Sequence, residues 1–146
     1  MMIRKLQHYN IRTTKFGETV EFYRNVLGMK SARPPGAPES WPASWIYDDS
    51  GEAVVHLTPV DPVDPEAAYA KISAYRGGPD KRFPWGFSGS GSIDHVALFC
   101  EGWDEIIARL QQHDVPYVEN HVPQVKTHQL FITDPNGITL ELNFQF

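Results

Sequence analysis

An α+β protein made of two βαβββ modules is predicted by three observations. A strand-like run passes into an amphipathic helix twice, in "LQHYNIRTTKFGETVEFYRNVLGMK" and again in "IDHVALFCEGWDEIIARLQQHDVPY". Each helix is followed by further strand material and a hairpin, "SWIYDDSGEAVVHL" in the first half and "QLFITDPNGITLEL" in the second. Laid together without a gap, the hairpins keep one spacing. Asp49 to Asp134 and Leu57 to Leu142 are both 85 positions, and His8 to His95 in the opening strands is 87. Order and spacing recur together, which reads as an internal duplication.

Module 1 spans 3–59 and opens with a strand, Ile3 to Arg12. The period then changes from two to 3.6, placing Phe16, Val20, Tyr23 and Leu27 on one helical face, with Gly28 positioned to stop the helix. Its hairpin, Ser44 to Leu57, turns at Asp49-Ser50-Gly51. A Pro- and Gly-rich linker or lid follows over 60–92, with a short helix expected near Glu66 to Tyr75. Its "RGGPDKRFPWGFSGSGS" reads as a connector, and Phe83, Trp85 and Phe87 would cover either a pocket or the outside of the core. No Lys-Ser/Thr pair follows the glycines, as a phosphate loop requires, and the spacing of a serine nucleophile elbow is absent. Module 2 spans 93–146. Its strand is Ile93 to Cys100, its helix carries Trp103, Ile106, Ile107 and Leu110 on one stripe, and its hairpin turns at Asp134-Pro135-Asn136-Gly137.

A chain of 146 residues is long enough for one domain with a real interior. Apolar residues at 41% and charged residues at 21% are ordinary for a globular protein. The formal charge of −5 leaves no basic surplus to neutralise phosphates, which argues against a nucleic-acid partner. Cys100 is the only cysteine, so no internal disulfide forms and nothing points to an oxidising compartment. The opening "MMIRKLQHYN" lacks a signal-peptide core and no apolar run reaches membrane-spanning length, so a cytoplasmic protein without a membrane partner is expected.

The duplicated frame gives the polar strand residues a common setting. His8 aligns with His95, and His56 aligns with Glu141. Side chains two apart share one face of a strand. Leu6, His8, Asn10 and Arg12 therefore lie opposite Tyr9 and Ile11, while Val54, His56 and Thr58 lie opposite Val55 and Leu57. His95 shares a face with Ile93 and Ala97, and Thr139, Glu141 and Asn143 share another, opposite Ile138, Leu140, Leu142 and Phe144. The helices would cover the apolar faces and the polar faces would line a cavity. A lone strand histidine is most simply structural. A buried unpaired carboxylate, however, costs several kcal/mol by order of magnitude, and three imidazoles with one carboxylate offset that cost through a shared divalent cation. Asn10, Arg12, Thr58 and Asn143 are expected to line the pocket, with Arg12 available to an anionic group. Of the other histidines, His113 falls at a helix end, His121 reads as loop surface, and His128 enters the second hairpin, either solvated or near the cavity.

The motifs "FYRNVLG", "IDHVAL" and "LFITDPNGITLELNF" resemble the vicinal oxygen chelate superfamily, which includes glyoxalase I, extradiol dioxygenases, fosfomycin-resistance thiol transferases and metal-free bleomycin-binding proteins. The resemblance covers nearly the whole chain outside 60–92. It implies a cup-shaped mixed β-sheet flanked by helices, a small-molecule substrate, a homodimer, and a metal held by strand residues. His8, His95 and Glu141 fall where the superfamily's ligands lie. His56 stands where glyoxalase I typically has a Glu, and where extradiol dioxygenases carry a non-ligand His acting as acid and base. An imidazole, with an ordinary pKa of about 6.5, suits proton transfer near neutrality. It serves here as either acid/base or fourth ligand. Phe131 replaces the Tyr usual in ring-cleaving members. The implied chemistry is chelation of vicinal substrate oxygens by Fe(II) or Mn(II), with Ni(II) and Zn(II) as further candidates, leading to isomerase, lyase or dioxygenase reactions. The alternatives are a metal-free binding protein and a fosfomycin-type thiol transferase.

Overall fold

A computed structural model describes residues 6–37, 39–40, 44–67 and 95–146. The first half contains β1 (Tyr9–Thr13), α1 (Phe16–Glu21), a π-helical turn (Phe22–Val26), β2 (Lys30–Ala32), β3 (Ser44–Tyr47) and β4 (Ala53–Pro59). The second contains β5 (Val96–Phe99), α2 (Trp103–Gln112), β6 (Val118–Val122), a 3-10 turn (Pro123–Val125), β7 (Thr127–Thr133) and β8 (Thr139–Gln145). Each half forms a four-stranded mixed sheet, in the order β1-β4-β3-β2 and β5-β8-β7-β6. In both, the first strand runs parallel to the last and the other pairs are antiparallel. The α+β class and the paired βαβββ modules are as the sequence predicts.

Register confirms the duplication. Asn10, two residues beyond His8, pairs with His56. Ala97, two residues beyond His95, pairs with Glu141. The aligned residues thus occupy equivalent places in their sheets.

Element ends differ from expectation. The opening strands are shorter than Ile3–Arg12 and Ile93–Cys100, so His8 and His95 stand just ahead of β1 and β5. Among the described residues each of these strands is laddered on one side only, and pairing starts at Tyr9 opposite Val55 and at Val96 opposite Leu140. The first helix ends in a π-helical turn, with the Leu27 amide donating to the Phe22 carbonyl, before Gly28 takes φ of 70° and stops it. Of the short helix expected at Glu66–Tyr75, Glu66 and Ala67 are described and helical. The rest, with Phe83, Trp85, Phe87 and Ile93, lies outside the described residues.

One core serves both halves. Ile11, Ile46, Val55 and Leu57 of the first sheet join Leu130, Ile132, Leu140, Leu142 and Phe144 of the second around Phe22, Tyr23, Val26, Ile106 and Leu110 from the helices. A buried polar joint adds direction to this packing. The Asp134 Oδ1 accepts from the amides of Asn136 and Ile138, at 2.8 and 2.9 Å, closing the second hairpin's turn. Its Oδ2 accepts from Tyr23 Oη at 3.3 Å, across the two halves. Asn136 meanwhile donates to Thr19 Oγ1 at 3.0 Å and accepts from Thr13 Oγ1.

Burial, with the charge of Asp134 as a lesser cause, pushes the Tyr9 hydroxyl from 10.0 up to about 12, and the same two causes, with Tyr9 itself, raise Tyr23 well above 10.0. A pKa raised on folding contributes stability that is whole below pH 10 and is lost as pH climbs towards 12. At about 1.4 kcal/mol per unit, Tyr9 alone accounts for roughly 2–3 kcal/mol across that window. Urea midpoints measured from pH 9 to 12 should fall less steeply for Tyr9→Phe than for the unaltered protein.

Candidate functional site

Alternation turns the apolar side of each sheet into the core and leaves the polar side facing away from it. On the first sheet, His56 is stacked between two rings. Trp45, its cross-strand partner on β3, lies at 4.3 Å between centroids and 8° between planes. His8 covers the other side at 3.8 Å and 15°. His8 Nδ1 also lies 3.0 Å from Gln7 Oε1. Beside them Thr58 Oγ1 donates to Asn10 Oδ1 at 2.9 Å. Arg12 pairs with Thr58 in register and its Nη1 is shielded from solvent.

The second sheet holds a carboxylate and its supports. The side chain of Glu141 is 12% exposed, with Oε2 3.1 Å from His95 Nε2. Its Oε1 accepts from Gln129 Nε2 at 2.8 Å and from Asn143 Nδ2 at 2.7 Å. Gln129 Nε2 also donates to Asn143 Oδ1 at 3.0 Å, and its Oε1 accepts from Asn120 Nδ2 at 2.7 Å. Phe131, opposite Glu141 on β7, sets its ring edge-on to His95 at 6.3 Å. A chain of amides therefore aims one carboxylate oxygen at an imidazole and occupies the other.

The structure brings the four predicted ligands together as two pairs, His8 with His56 and His95 with Glu141, one on each sheet. Among the described residues no three His, Cys, Asp or Glu side chains gather as a metal site. Imidazole nitrogen and carboxylate oxygen suit a divalent cation of the first transition row, yet each pair supplies two donors rather than three. Asn10, Thr58 and Asn143 lie on the expected faces; Asn143 buttresses Glu141.

A cavity of about 690 Å³ runs between the β1 and β5 edges, touching His8, Tyr47, Val54, Phe99 and Cys100. His8 alone of the four predicted ligands reaches it. Burial pushes the Cys100 thiol up to about 11, which leaves little thiolate for nucleophilic chemistry near neutrality.

Trp45, Gln129 and Asn120 escaped the sequence reading. Gln129 shares a face of β7 with Phe131, so alternation alone would have put it opposite Asn143. Trp45 was hidden by an irregularity: counting back from the turn sets Ser44 opposite His56, but a register shift between Ile46 and Tyr47 puts Trp45 there. Two other histidines lie elsewhere than expected. His121 belongs to β6 rather than a loop, and His128 lies on the helix side of β7 against Trp103, at 5.2 Å, because its alternation follows Leu130 and Ile132.

Among known proteins, the family described as "Glyoxalase/Bleomycin resistance protein/Dioxygenase superfamily" matches residues 5–142. Comparison with curated proteins found no match. Similar solved structures include a putative glyoxalase family protein from Bacillus anthracis, at 16% identity and TM-score 0.64 over 100% of this chain and 98% of that one. A lactoylglutathione lyase from Agrobacterium tumefaciens is 14% identical, with TM-score 0.62 over 97% of this chain and 94% of that one. An antibiotic binding protein from a Streptomyces species is 17% identical, with TM-score 0.62 over 100% and 99%. At these identities the likeness is one of fold.

Proposed function

The chain belongs to the glyoxalase/bleomycin resistance protein/dioxygenase superfamily, and from that premise we propose a divalent-cation enzyme acting on a small substrate with two neighbouring oxygens. The observation that carries this reading is Glu141. A mostly buried carboxylate is held by Gln129 and Asn143, with its second oxygen directed at His95, and the duplicated sheet presents His8 and His56 at the equivalent positions. His8, His95 and Glu141 would hold the cation, and Fe(II) or Mn(II) suits the mixed nitrogen and oxygen donors, with Ni(II) and Zn(II) as further candidates. A cation bound there supplies positive charge against the negative charge that develops on substrate oxygens.

His56 exchanges a proton with the substrate or completes the ligand set. Trp45 and His8 fix its plane, so its ring nitrogens are presented in a constant direction. Arg12 offers a charge to an anionic substrate group. Phe131 has no hydroxyl to give, which favours isomerase or lyase chemistry over ring cleavage. In a homodimer whose two-fold axis set the imidazole pair of each copy against the partner's carboxylate face, the two half-sets would complete one another.

Elemental analysis of the purified protein should find about one cation per chain, with a metal-dependent thermal shift. Glu141→Gln should lose the retained cation and the shift given by Fe(II) or Mn(II), while keeping its circular dichroism. Protein without metal, and without a shift on adding any of the four cations, would leave the second reading: metal-free capture of a small molecule. Trp45, Phe131 and the exposed Phe99 favour that reading by placing aromatic surface on the same two faces. Oxygen uptake with catechols, set against isomerase assays with hemithioacetals, separates the enzymatic classes.

A further inference from the structure

A second pair of imidazoles lies outside this site, on the helix side of the second sheet. His121 on β6 and His128 on β7 are direct cross-strand partners. Their ring centroids are 4.4 Å apart with planes at 87°. Phe146 packs on both, at 5.0 and 4.4 Å, and Trp103 stands 5.2 Å from His128. Neither ring makes a hydrogen bond among the described residues, so their nitrogens are not committed to other protein groups there.

Two metal–nitrogen bonds of about 2 Å each span at most about 4 Å between donors. Rings already in contact meet that limit with small side-chain rotations, and β6 is an edge strand whose His121 is exposed. The hairpin has already fixed the two backbones in register, so little ordering remains to oppose chelation. Two imidazoles without a carboxylate or thiolate select late first-row divalent ions, Cu(II) above Ni(II) and Zn(II), with water completing the shell. We propose that His121 and His128 form a two-histidine chelate for such an ion, separate from His8, His56, His95 and Glu141. Bound there, the ion would clip the edge strand β6 to β7.

The fold supplies its own reporter. Trp103 lies against His128, so Cu(II) held by the pair should quench its fluorescence. Titrating Cu(II) into a His8→Ala/His56→Ala chain, which removes the imidazoles beside Trp45, should give a saturable loss of emission that is absent when Trp103→Phe is added. On that background the loss should disappear when His121→Asn or His128→Asn is added, each with unchanged circular dichroism, and persist when His95→Gln/Glu141→Gln is added. Ni(II) should compete for the site without the same quenching. A Trp103 response that survives both His121→Asn and His128→Asn, or no saturable response in the His8→Ala/His56→Ala chain, would overturn the proposal. Should either variant unfold, proton NMR of the unaltered chain decides the matter. Broadening of the His121 and His128 ring signals at substoichiometric Cu(II) supports the site, and unbroadened signals refute it.

Discussion

Two inactive chains should restore each other. A chain carrying His8→Ala and His56→Ala lacks the imidazole half-set, and one carrying His95→Ala and Glu141→Ala lacks the carboxylate half-set. If the halves meet across two copies, mixing the variants through a mild unfolding and refolding step produces dimers with one intact site and one doubly damaged site. Metal retention should return from near zero to about one cation per mixed dimer, and neither variant alone should recover it. The logic is that of an isologous interface, where a residue of one copy meets the counterpart's other face in both directions. Mass measurement by light scattering should show a dimer throughout. A dimer that never recovers metal on mixing would place the complete site inside one chain, against the separation of the two pairs seen here.

The largest loss of stability should come from Asp134, which is none of the four candidate ligands. Its side chain lies in a site where the residue is 3% exposed, and it accepts from two backbone amides, the Tyr23 hydroxyl and the Asn136 amide. Asp134→Ala leaves several buried donors without an acceptor, at about 1–3 kcal/mol each before relaxation. A net loss of about 3–4 kcal/mol follows, which for a chain of this size lowers Tm by roughly 10 °C. Asp134→Asn keeps the volume but turns an NH2 towards other donors, so it should recover only part of the loss. Tyr23→Phe removes one bond and should cost about 1 kcal/mol. A calorimetric Tm for Asp134→Ala within about 2 °C of the unaltered protein would show that the joint between the halves is not what holds them.

Much of this arrangement is written openly in the sequence. Alternation separated His8, His56 and Glu141 from Ile11, Val55 and Leu142, because one side of each sheet must be buried and the period of a strand is two. The 85-residue offset placed His56 and Glu141 at matching points of the two modules, and the ladders agree, each in its own sheet. What pattern could not deliver was local and cooperative. The shift at Ile46/Tyr47 moved an indole into the place that regular pairing assigns to a serine. The π-helical turn at Phe22–Val26 carries Tyr23, whose hydroxyl donates to Asp134, more than a hundred residues away. Gln129 is an ordinary amide until β8 brings Glu141 and Asn143 beside it.

The rings on either side of His56 have one more consequence. With an indole and an imidazole against its two flat surfaces, the middle ring is closed from above and below. A reactant or an ion can come to it only along its rim, in the plane of the ring. Anything that would lie flat against this histidine is turned away, and contact with it has to be made edge-first.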